Sequence, residues 1–479
     1  MDPGEREDRT RWIRDGALWI ALLAALVRAC AIRGDLAIDE IWSWWFVQNA
    51  IARLTDIFAL RHDNNHILNT IVMYALGPDV PGIAYRIPAA IASTGAVWCA
   101  SRIAAWRSGP LAGGTACLLV GASYLMILYG TEARGYAYLV LCAYVSWLCL
   151  LRAEADGRRG YAIAFAIAAS LGFLAHLTFV YCYVGFLVWT SCQYRSPRFR
   201  LLLAAQLLPL ATAVSLYLFF MRGMEIGGGR DTTWLSAIAA TLSLVAGGTQ
   251  RGAGASIAAS LVAIVLAVAW WREWRRDRAI AATYLAIILL APATVLLLSG
   301  HPLVYPRYFL VPIAFALLVI SDWIAGWWSS SRPWRAAVTA VGLLYLVGNG
   351  QWTARLLDHG RGDYSRAILW MASRGPDRDQ TVGGNHGFRN GMVFDYYGPR
   401  LGSAASRLRY LEPRDVPRQG TDWKIVQDFE GDDAPPDAIR DRYGNAYHRD
   451  RVFRHHSLTG YNWWLYRRSE SSPPEQRRE

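Results

Sequence analysis

Two adjacent carboxylates, Asp39 and Glu40, stand in the stretch LAIDEIWSWW, directly after the first long apolar run of the chain. A carboxylate placed there can act as a general base that removes a proton from a hydroxyl group. The same pair could instead begin a helix, because acidic residues interact favourably with the positive end of the helix dipole. We therefore take both acids as candidate catalytic residues, with a helix N-terminus as the structural alternative.

Further polar residues lie in short connections between later apolar runs. These are Asp63 and His66 in RHDNNH, Glu132 and Arg134 in TEARGY, His176 in AHLT, and His301, Tyr305, Arg307 and Tyr308 in HPLVYPRYF. Ionisable residues at membrane depth are costly and usually functional, so we expect these clusters to meet in one cavity at the outer ends of the helices. Each also has a structural alternative: an ion pair of little weight, a helix-end histidine or an arginine anchor at the membrane surface.

The elements that must position these residues are membrane spans. The sequence is 54% hydrophobic and contains 22 Trp, and its apolar runs approach the ~20 residues that cross a bilayer. We predict eleven spans, at 17–32, 83–105, 111–129, 136–151, 161–175, 177–192, 201–221, 256–271, 279–298, 309–328 and 336–348. The apolar run 236–247 is too short to span, so we predict an interfacial or re-entrant piece. Trp42, Trp44 and Trp45 are typical of a helix lying in the membrane interface.

The distribution of arginines between the loops predicts the orientation of these spans. Clusters of Arg precede the first predicted span and follow spans two, four, six, eight and ten, so all of them fall on one side. The positive-inside rule makes that side cytoplasmic, which places the N-terminus inside and the C-terminal segment outside. We predict a transmembrane catalytic domain at 1–350, with a first outer loop at 33–82 that carries interfacial helices. Residues 351–479 are predicted to form a small extracytoplasmic α/β domain, with NWWLYRR as a strand.

Composition also argues against several classes of function. No Gly-rich phosphate loop precedes a helix, and no His/Cys spacing typical of zinc appears. The seven cysteines lie in or beside apolar runs without a CxxC pair, so we interpret them as packing residues. The net charge of +12 comes almost wholly from arginine, and Lys424 is the only lysine. We therefore do not interpret the charge as a sign of nucleic-acid binding.

An ordered set of motifs resembles a known superfamily. AIDEIW, RHDNNHILNTIVMY, YRIPAAIA, YGTEARGYAYLV and VYPRYFLVPI look like the membrane glycosyltransferases of the GT-C superfamily. The branch that these motifs resemble contains the protein O-mannosyltransferases, the aminoarabinose transferases and the bacterial RgtA/B/C/D-like proteins. The resemblance covers nearly all of the chain to Gly348 and extends weakly into the C-terminal domain. One departure is that many relatives have His-Pro-Pro where this chain has His66, Ile67 and Leu68.

The resemblance implies an all-α GT-C fold in a bacterial inner membrane, and an inverting transfer of sugar from a polyprenyl-phosphate-linked donor. The acceptor would be a lipid, glycan or protein hydroxyl outside the cytoplasm. Asp39 matches the catalytic acid and Glu40 its neighbour, while Arg134, Arg307, Tyr305 and Tyr308 are expected at the donor phosphate. Asp63, His66, Glu132 and His176 are candidate contacts to substrate or to a metal. No cofactor is certain, and a divalent cation is an open candidate.

The chemistry agrees with this expectation. Transfer of a sugar to a hydroxyl needs a base, whereas phosphate is a good leaving group whose growing charge needs positive donors. One alternative is a transporter or lipid flippase, which should place polar residues near the midplane and often in two repeated halves. The chain shows no such repeat. Another alternative is a glycan ligase or polymerase that uses a diphosphate-linked donor. A receptor with a membrane anchor would not require eleven spans.

Overall fold

The chain forms two compact units. The computed structural model describes residues 3–227, 232–299, 304–328, 330–374, 378–428, 434–455 and 458–469, apart from the side chains of 3–15, 299 and 404. The first unit consists of Met1–Ile32 and Ile51–Ala354, and the second of Arg33–Ala50 and Arg355–Glu479. The start of the first predicted loop, which carries the acidic pair, therefore belongs with the C-terminal residues.

Helices make up nearly all of the first unit. In chain order, with α2 belonging to the second unit, they are α1 Pro3–Ala31, α2 Ile38–Asn49, α3 Asp56–Ala59, α4 Ile67–Leu76, α5 Gly82–Ser108, α6 Pro110–Ala122, α7 Tyr124–Gly130, α8 Tyr136–Asp156, α9 Arg159–Ala175, α10 Val180–Cys192, α11 Phe199–Leu216, α12 Trp234–Val245, α13 Ala253–Arg276, α14 Arg278–Leu285, α15 Ala291–Ser299, α16 Leu310–Trp328 and α17 Arg332–His359. Short 3₁₀ turns at Leu177–Phe179 and Pro306–Phe309 precede α10 and α16, and π-helical segments at Tyr217–Met221 and Ala286–Leu290 extend α11 and join α14 to α15.

Five helical stretches within the described residues are long and apolar enough to cross a membrane. They are Tyr136–Asp156, Phe199–Met221, Ala253–Arg276, Arg278–Leu298 and Pro306–Trp328, and a sixth is formed if α6 and α7 make one broken span. Other predicted spans coincide with shorter apolar helices such as Gly16–Ala31 and Arg159–Ala175. The chain is thus a helical multi-pass membrane protein, while the count of eleven spans stays a prediction.

A break in the third predicted span is the main departure from a simple bundle. The span was expected to be continuous over 111–129, but α6 and α7 meet at Ser123 with a bend of 61°. The Tyr124 amide donates to Asn349 Oδ1 (2.8 Å) instead of continuing the helix. Backbone polar groups inside a membrane must be satisfied by protein, so each group released by the bend needs a partner.

Arg28 supplies the partners on the other side of this break. Its guanidinium donates to the carbonyls of Gly121 (3.1 Å) and Val120 (3.5 Å), and its Nε donates to Ser93 Oγ (2.7 Å). Arg28 is 1% exposed, so the charge is kept inside the bundle by these bonds. The arginine that interrupts the first predicted span therefore has a structural task at the helix break.

The described residues of the second unit are built around a mixed six-stranded sheet. Its strands are β1 Gln380–Gly384, β2 Leu408–Tyr410, β3 Trp423–Asp428, β4 Ala438–Arg440, β5 Ala446–Phe453 and β6 Asn462–Arg468. Their order is β2-β1-β3-β6-β5-β4, with β1 parallel to β2 and β3 and the other pairs antiparallel. The helices are α18 Tyr364–Arg374, α19 Gly387–Tyr397 and α20 Ser403–Ser406. The predicted small α/β domain is confirmed, and NWWLYRR is β6.

The cysteines do not form disulfides in this structure. All seven are free, and Cys117, Cys142 and Cys182 are buried as expected for packing residues. Cys192 differs, because it is exposed at the end of α10. The packing interpretation therefore does not extend to that residue.

Replacing Arg28 with Met should destabilise the bundle, because the carbonyls of Val120 and Gly121 would lose their side-chain donors. Leaving buried polar groups unsatisfied costs about 1–3 kcal/mol each, so we expect a clearly lower melting temperature in detergent. The exposed Arg102 provides a matched control, because Arg102→Met removes the same charge without touching the break. Equal melting temperatures for Arg28→Met and Arg102→Met would contradict the structural task assigned to Arg28.

Candidate functional site

The tight connection between α7 and α8 places Arg134 inside the protein. Glu132 and Arg134 are 3% and 4% exposed, although a sequence of this polarity normally lies in a solvated loop. Arg134 donates to Asn64 Oδ1 (2.8 Å) and lies over the ring of Tyr136, with 4.9 Å to its centroid. Its distance to the Glu132 carboxylate is 4.0 Å, which is long for an ion pair. The guanidinium is therefore positioned by an amide oxygen and by a cation–π contact.

The segment before α4 brings Asp63 to the same part of the first unit. The Asp63 amide donates to the Glu225 carbonyl (2.9 Å), and its Oδ1 accepts from the Gly227 amide (3.0 Å). Burial opposes ionisation of Asp63, but hydrogen bonds from His62 and Gly227 and the charge of Arg307 lower its pKa below the ordinary value. Asp63 is therefore an anchored carboxylate that stays charged.

His66 ends this segment and precedes α4, which begins at Ile67. A proline is tolerated at the first positions of a helix, so Ile67 and Leu68 occupy positions where the relatives' prolines would also fit. His66 is 4% exposed and hydrogen-bonds to the backbone of Ala175. Burial, followed by the charge of Arg134, lowers its pKa well below the ordinary value, so the ring is neutral.

Gly135 makes this histidine contact sterically possible. A Cβ at Gly135 would lie 1.9 Å from the Ala175 carbonyl oxygen and 2.9 Å from His66 Nδ1. No side chain fits there without displacing backbone. The glycine in the TEARGY motif is thus required by the close approach of three chain segments.

His176 lies in the turn between α9 and the 3₁₀ turn before α10. Its ring stacks on that of His66, with centroids 4.9 Å apart and planes inclined by 26°. Tyr136 contacts both rings, at 5.2 Å from His66 and 5.0 Å from His176. Burial and the charges of Arg134 and Arg307 lower the pKa of His176 to about 3. Both imidazoles are therefore neutral at physiological pH.

Arg307 lies in the 3₁₀ turn that begins at Pro306 and leads into α16. Its guanidinium is 4.6 Å from the ring centroid of Tyr305 and 5.6 Å from that of Tyr308. Tyr308 in turn is 6.5 Å from the His176 ring, between centroids. The two tyrosines predicted at the site therefore hold the arginine, whereas His301 lies outside the described residues.

The acidic pair belongs to the second unit, where its two members have different environments. Glu40 is fully buried, and its Oε2 accepts the amide of Ala37 (2.7 Å) at the start of α2. Asp39, at the preceding helix position, is only half-buried. Glu40 is thus a helix cap, as the structural alternative proposed, and Asp39 is the more exposed carboxylate of the pair.

The tryptophans after this pair do not form a simple interfacial belt. Trp44 is 5% exposed and packs edge-on against Tyr396 of α19, at 4.9 Å. Trp42 and Trp45 both contact Phe388 of the same helix, at 5.3 and 5.4 Å. The expectation for Trp44 was wrong, because its ring is used to pack α2 onto α19 within the second unit.

The structure thus brings together Asp63, His66, Arg134, His176, Tyr305, Arg307 and Tyr308 in the first unit, with Glu132 beside Arg134. Three further residues of this site, Asn64, Gly135 and Tyr136, were not singled out from the sequence. The available signal was that Asn64 directly follows Asp63 and that Gly135 and Tyr136 directly follow Arg134. Among the described residues no group of three or more His, Cys, Asp or Glu side chains could hold a metal ion, so we derive no step through one.

Lowering the pH should destabilise the wild-type protein in part through His176. The folded ring stays neutral down to about pH 3, whereas the unfolded ring binds a proton near its ordinary pKa of 6.5. Stability is therefore lost as pH falls below ~6.5, with a slope of at most ~1.4 kcal/mol per pH unit.

The measurement is the melting temperature of wild type and His176→Asn between pH 8 and pH 5. The variant should lose less stability over this range than wild type does. The exposed His359 gives the control, because His359→Asn should follow the wild-type curve. Parallel curves for wild type and His176→Asn would contradict a neutral His176.

Comparison with known proteins finds similar structures, but no related sequence or family model. No protein-family model matches the chain. No curated protein matches its sequence either. The solved structures that are similar include ArnT from Cupriavidus metallidurans in the apo state, with a TM-score of 0.55 and 14% identity over 88% of this chain and 94% of that chain.

ArnT from the same organism bound to undecaprenyl phosphate has a TM-score of 0.54 and 14% identity over 96% of this chain and 99% of that one. The archaeal oligosaccharyltransferase AglB from Archaeoglobus fulgidus, in complex with an inhibitory peptide and a dolichol-phosphate, reaches 0.47 and 9% identity over 86% of this chain and 69% of that chain. The likeness to ArnT shows that this chain has the GT-C fold, as the sequence motifs predicted.

Proposed function

We propose that this chain is an integral-membrane, inverting glycosyltransferase that moves a sugar from a polyprenyl-phosphate carrier to an acceptor hydroxyl outside the cytoplasm. The observation that carries the proposal is the cationic cluster of the buried Arg134 and the half-buried Arg307 at the ends of apolar helices. Its support from comparison is the fold of ArnT, which has been crystallised with undecaprenyl phosphate bound.

The arginines suit the phosphate of a lipid carrier. A guanidinium grips two phosphate oxygens at once, and its attraction for an anion is stronger where water is scarce. Tyr136 beneath Arg134 and Tyr305 beside Arg307 restrict the two side chains through cation–π contacts. In the reaction the bond between the anomeric carbon and the phosphate oxygen breaks, and the arginines stabilise the charge that grows on the leaving phosphate.

Asp39 is assigned as the base of this reaction. Its carboxylate takes the proton of the acceptor hydroxyl while that oxygen forms the new bond to the anomeric carbon, on the face opposite the leaving phosphate. The products are the glycosylated acceptor, the polyprenyl phosphate and a proton on Asp39. Glu40 keeps Asp39 in place by capping α2 and does not itself take the proton.

We place the chain in a bacterial inner membrane, with the N-terminus cytoplasmic and the C-terminal domain extracytoplasmic. Its partners are membrane lipids, the polyprenyl-phosphate-sugar donor and a lipid, glycan or protein acceptor. The arginine distribution supports the orientation, and the many strongly exposed leucines, among them Leu261, Leu298 and Leu344, support a lipid-facing surface.

Asp39→Asn should reduce the rate of sugar transfer by ~10²–10⁴-fold, because the amide keeps the size of the side chain but cannot accept the proton. Glu40→Gln should retain most of the activity, since an amide oxygen can still accept the Ala37 amide, although the protein should be less stable. The measurement is transfer by the purified full chain, with Asp35→Asn as a control from the same segment. A larger loss in Glu40→Gln than in Asp39→Asn would reverse the two roles.

Arg134→Lys and Arg307→Lys should both weaken binding of undecaprenyl phosphate and lower activity at limiting donor. Lysine keeps the charge but lacks the fork that grips two oxygens. The matched control is Arg61→Lys, because Arg61 is exposed and donates to the backbone carbonyl of Phe219 (3.1 Å). Undiminished lipid binding in both site variants would argue against phosphate contacts there.

Reporter fusions should place the two ends of the transmembrane domain in opposite compartments. A fusion after Arg14 should report the cytoplasm, and fusions after Asp63 and after Gly350 should report the outside, because the arginine-rich loops fix the orientation. If the fusions after Arg14 and Gly350 report the same compartment, the number of spans between them is even, which contradicts the predicted eleven. A cytoplasmic signal after Asp63 would contradict the extracytoplasmic location of the site.

A further inference from the structure

The stacked imidazoles of His66 and His176 have no task in the reaction as proposed. Both rings lie close enough to Arg134 and Arg307 for these charges to lower their pKa values. His66 is buried and His176 is half-buried, and both rings contact Tyr136, which restricts their orientations. A neutral pair of rings next to two cations has a chemistry of its own, which follows from the position of each ring proton.

The hydrogen bonds of His176 determine its tautomer. Its Nδ1 accepts from the backbone amide of Thr178 at 3.1 Å, and a backbone amide can only donate. The Thr178 hydroxyl lies 2.8 Å from the same nitrogen. Nδ1 therefore carries a lone pair, and since the ring is neutral, the single proton is on Nε2.

His66 has the opposite tautomer. Its bond to the Ala175 backbone favours the protonated nitrogen, so the acceptor is the Ala175 carbonyl and the donor is Nδ1, which also faces Gly135. The neutral ring then has a bare lone pair on Nε2. This atom is buried and meets no hydrogen-bond partner in the described part of the chain. A buried acceptor without a partner costs free energy, so a bound donor would relieve it.

The chemistry of this pair excludes several ligands. A phosphate oxygen would be repelled by the lone pair of His66, so the pair does not extend the phosphate site. An ammonium group would satisfy that lone pair, but the charges of Arg134 and Arg307 nearby would repel it. A hydroxyl group donates to His66 and accepts from the Nε2–H of His176 without carrying a charge. Neutral hydroxyl groups therefore fit the pair best.

We propose that His66 and His176 bind hydroxyl groups of the sugar carried by the lipid phosphate and so select a hydroxylated sugar over a deoxy or amino sugar at that position. This inference rests on the proposed function, because the sugar reaches the pair only if its phosphate is held by the neighbouring arginines. A site built to bond a hydroxyl rejects an analogue that lacks it, since the buried partners are then left unpaired. His66 and His176 are specificity-determining residues in this assignment.

The test compares two kinds of lipid on the purified full chain. The probes are undecaprenyl phosphate and a panel of undecaprenyl-phosphate hexoses and pentoses, with binding measured in detergent. For wild type, at least one sugar-bearing lipid should bind more tightly than the bare lipid. In His66→Phe that preference should fall ~10-fold, while the affinity for undecaprenyl phosphate should stay within about twofold. His359→Asn should leave both affinities as in wild type.

A second measurement does not depend on the folding of a variant. Wild type should bind the deoxy analogue at one position of the preferred sugar ~10-fold more weakly, and the amino analogue at that position should be at least as weak. If His66→Phe folds, it should bind the deoxy analogue nearly as tightly as the hydroxylated sugar. The substitution and the deoxy change remove the same hydrogen bond, so their effects on affinity should not add.

Each outcome separates the two proposals. If wild type binds neither kind of lipid, the proposed function fails and this inference fails with it. If wild type binds undecaprenyl phosphate but no sugar or deoxy change alters its affinity, the inference is overturned and the proposed function stands. The inference is also overturned if His66→Phe weakens the binding of both kinds of lipid equally. In that case His66 satisfies its lone pair with a bound water and contributes to structure alone.

Discussion

The close contact of Gly135 with the Ala175 carbonyl is the constraint on which the site depends. Because no Cβ stands between these segments, the connection before α8 lies directly against the end of α9. The Ala175 carbonyl can then accept from His66, whose ring in turn stacks on His176. Arg134 and Tyr136 flank the same glycine in sequence, so the contact also sets the depth at which the guanidinium lies. The absence of a side chain at Gly135 thus lets the segments around Gly135, His66 and Ala175 pack against one another.

Arginines in this bundle serve two different purposes. Arg28 donates to backbone carbonyls that the break at Ser123 releases, so its charge is used within the fold. Arg134 and Arg307 lie over aromatic rings, and Arg134 also donates to Asn64 Oδ1. Arg28 thus has a structural role at the helix break, and Arg134 and Arg307 are the arginines that we propose for anion binding.

The paired acids show a similar division between neighbours. Adjacent residues on a helix point about 100° apart, so one side chain can turn back to the helix end while the other faces away. The Glu40 side chain turns back to the start of α2 and accepts the Ala37 amide, whereas the Asp39 side chain is only half-buried. The packing of Trp44 on Tyr396 holds α2 on α19, so Asp39 stands on a helix supported by the second unit.

The sequence by itself determined the membrane character, the helical class and the small C-terminal domain, because these follow from long apolar runs and from a change in composition. It also pointed to Arg134, Arg307 and the polar segment around His66, since charged residues between apolar runs are conspicuous. It could not decide that Trp44 packs inward, that the third span breaks at Ser123, or that Glu40 is a cap. Nor could it assign the proton on either histidine. Those features depend on which backbone groups approach one another, and such approaches exist only in the folded chain.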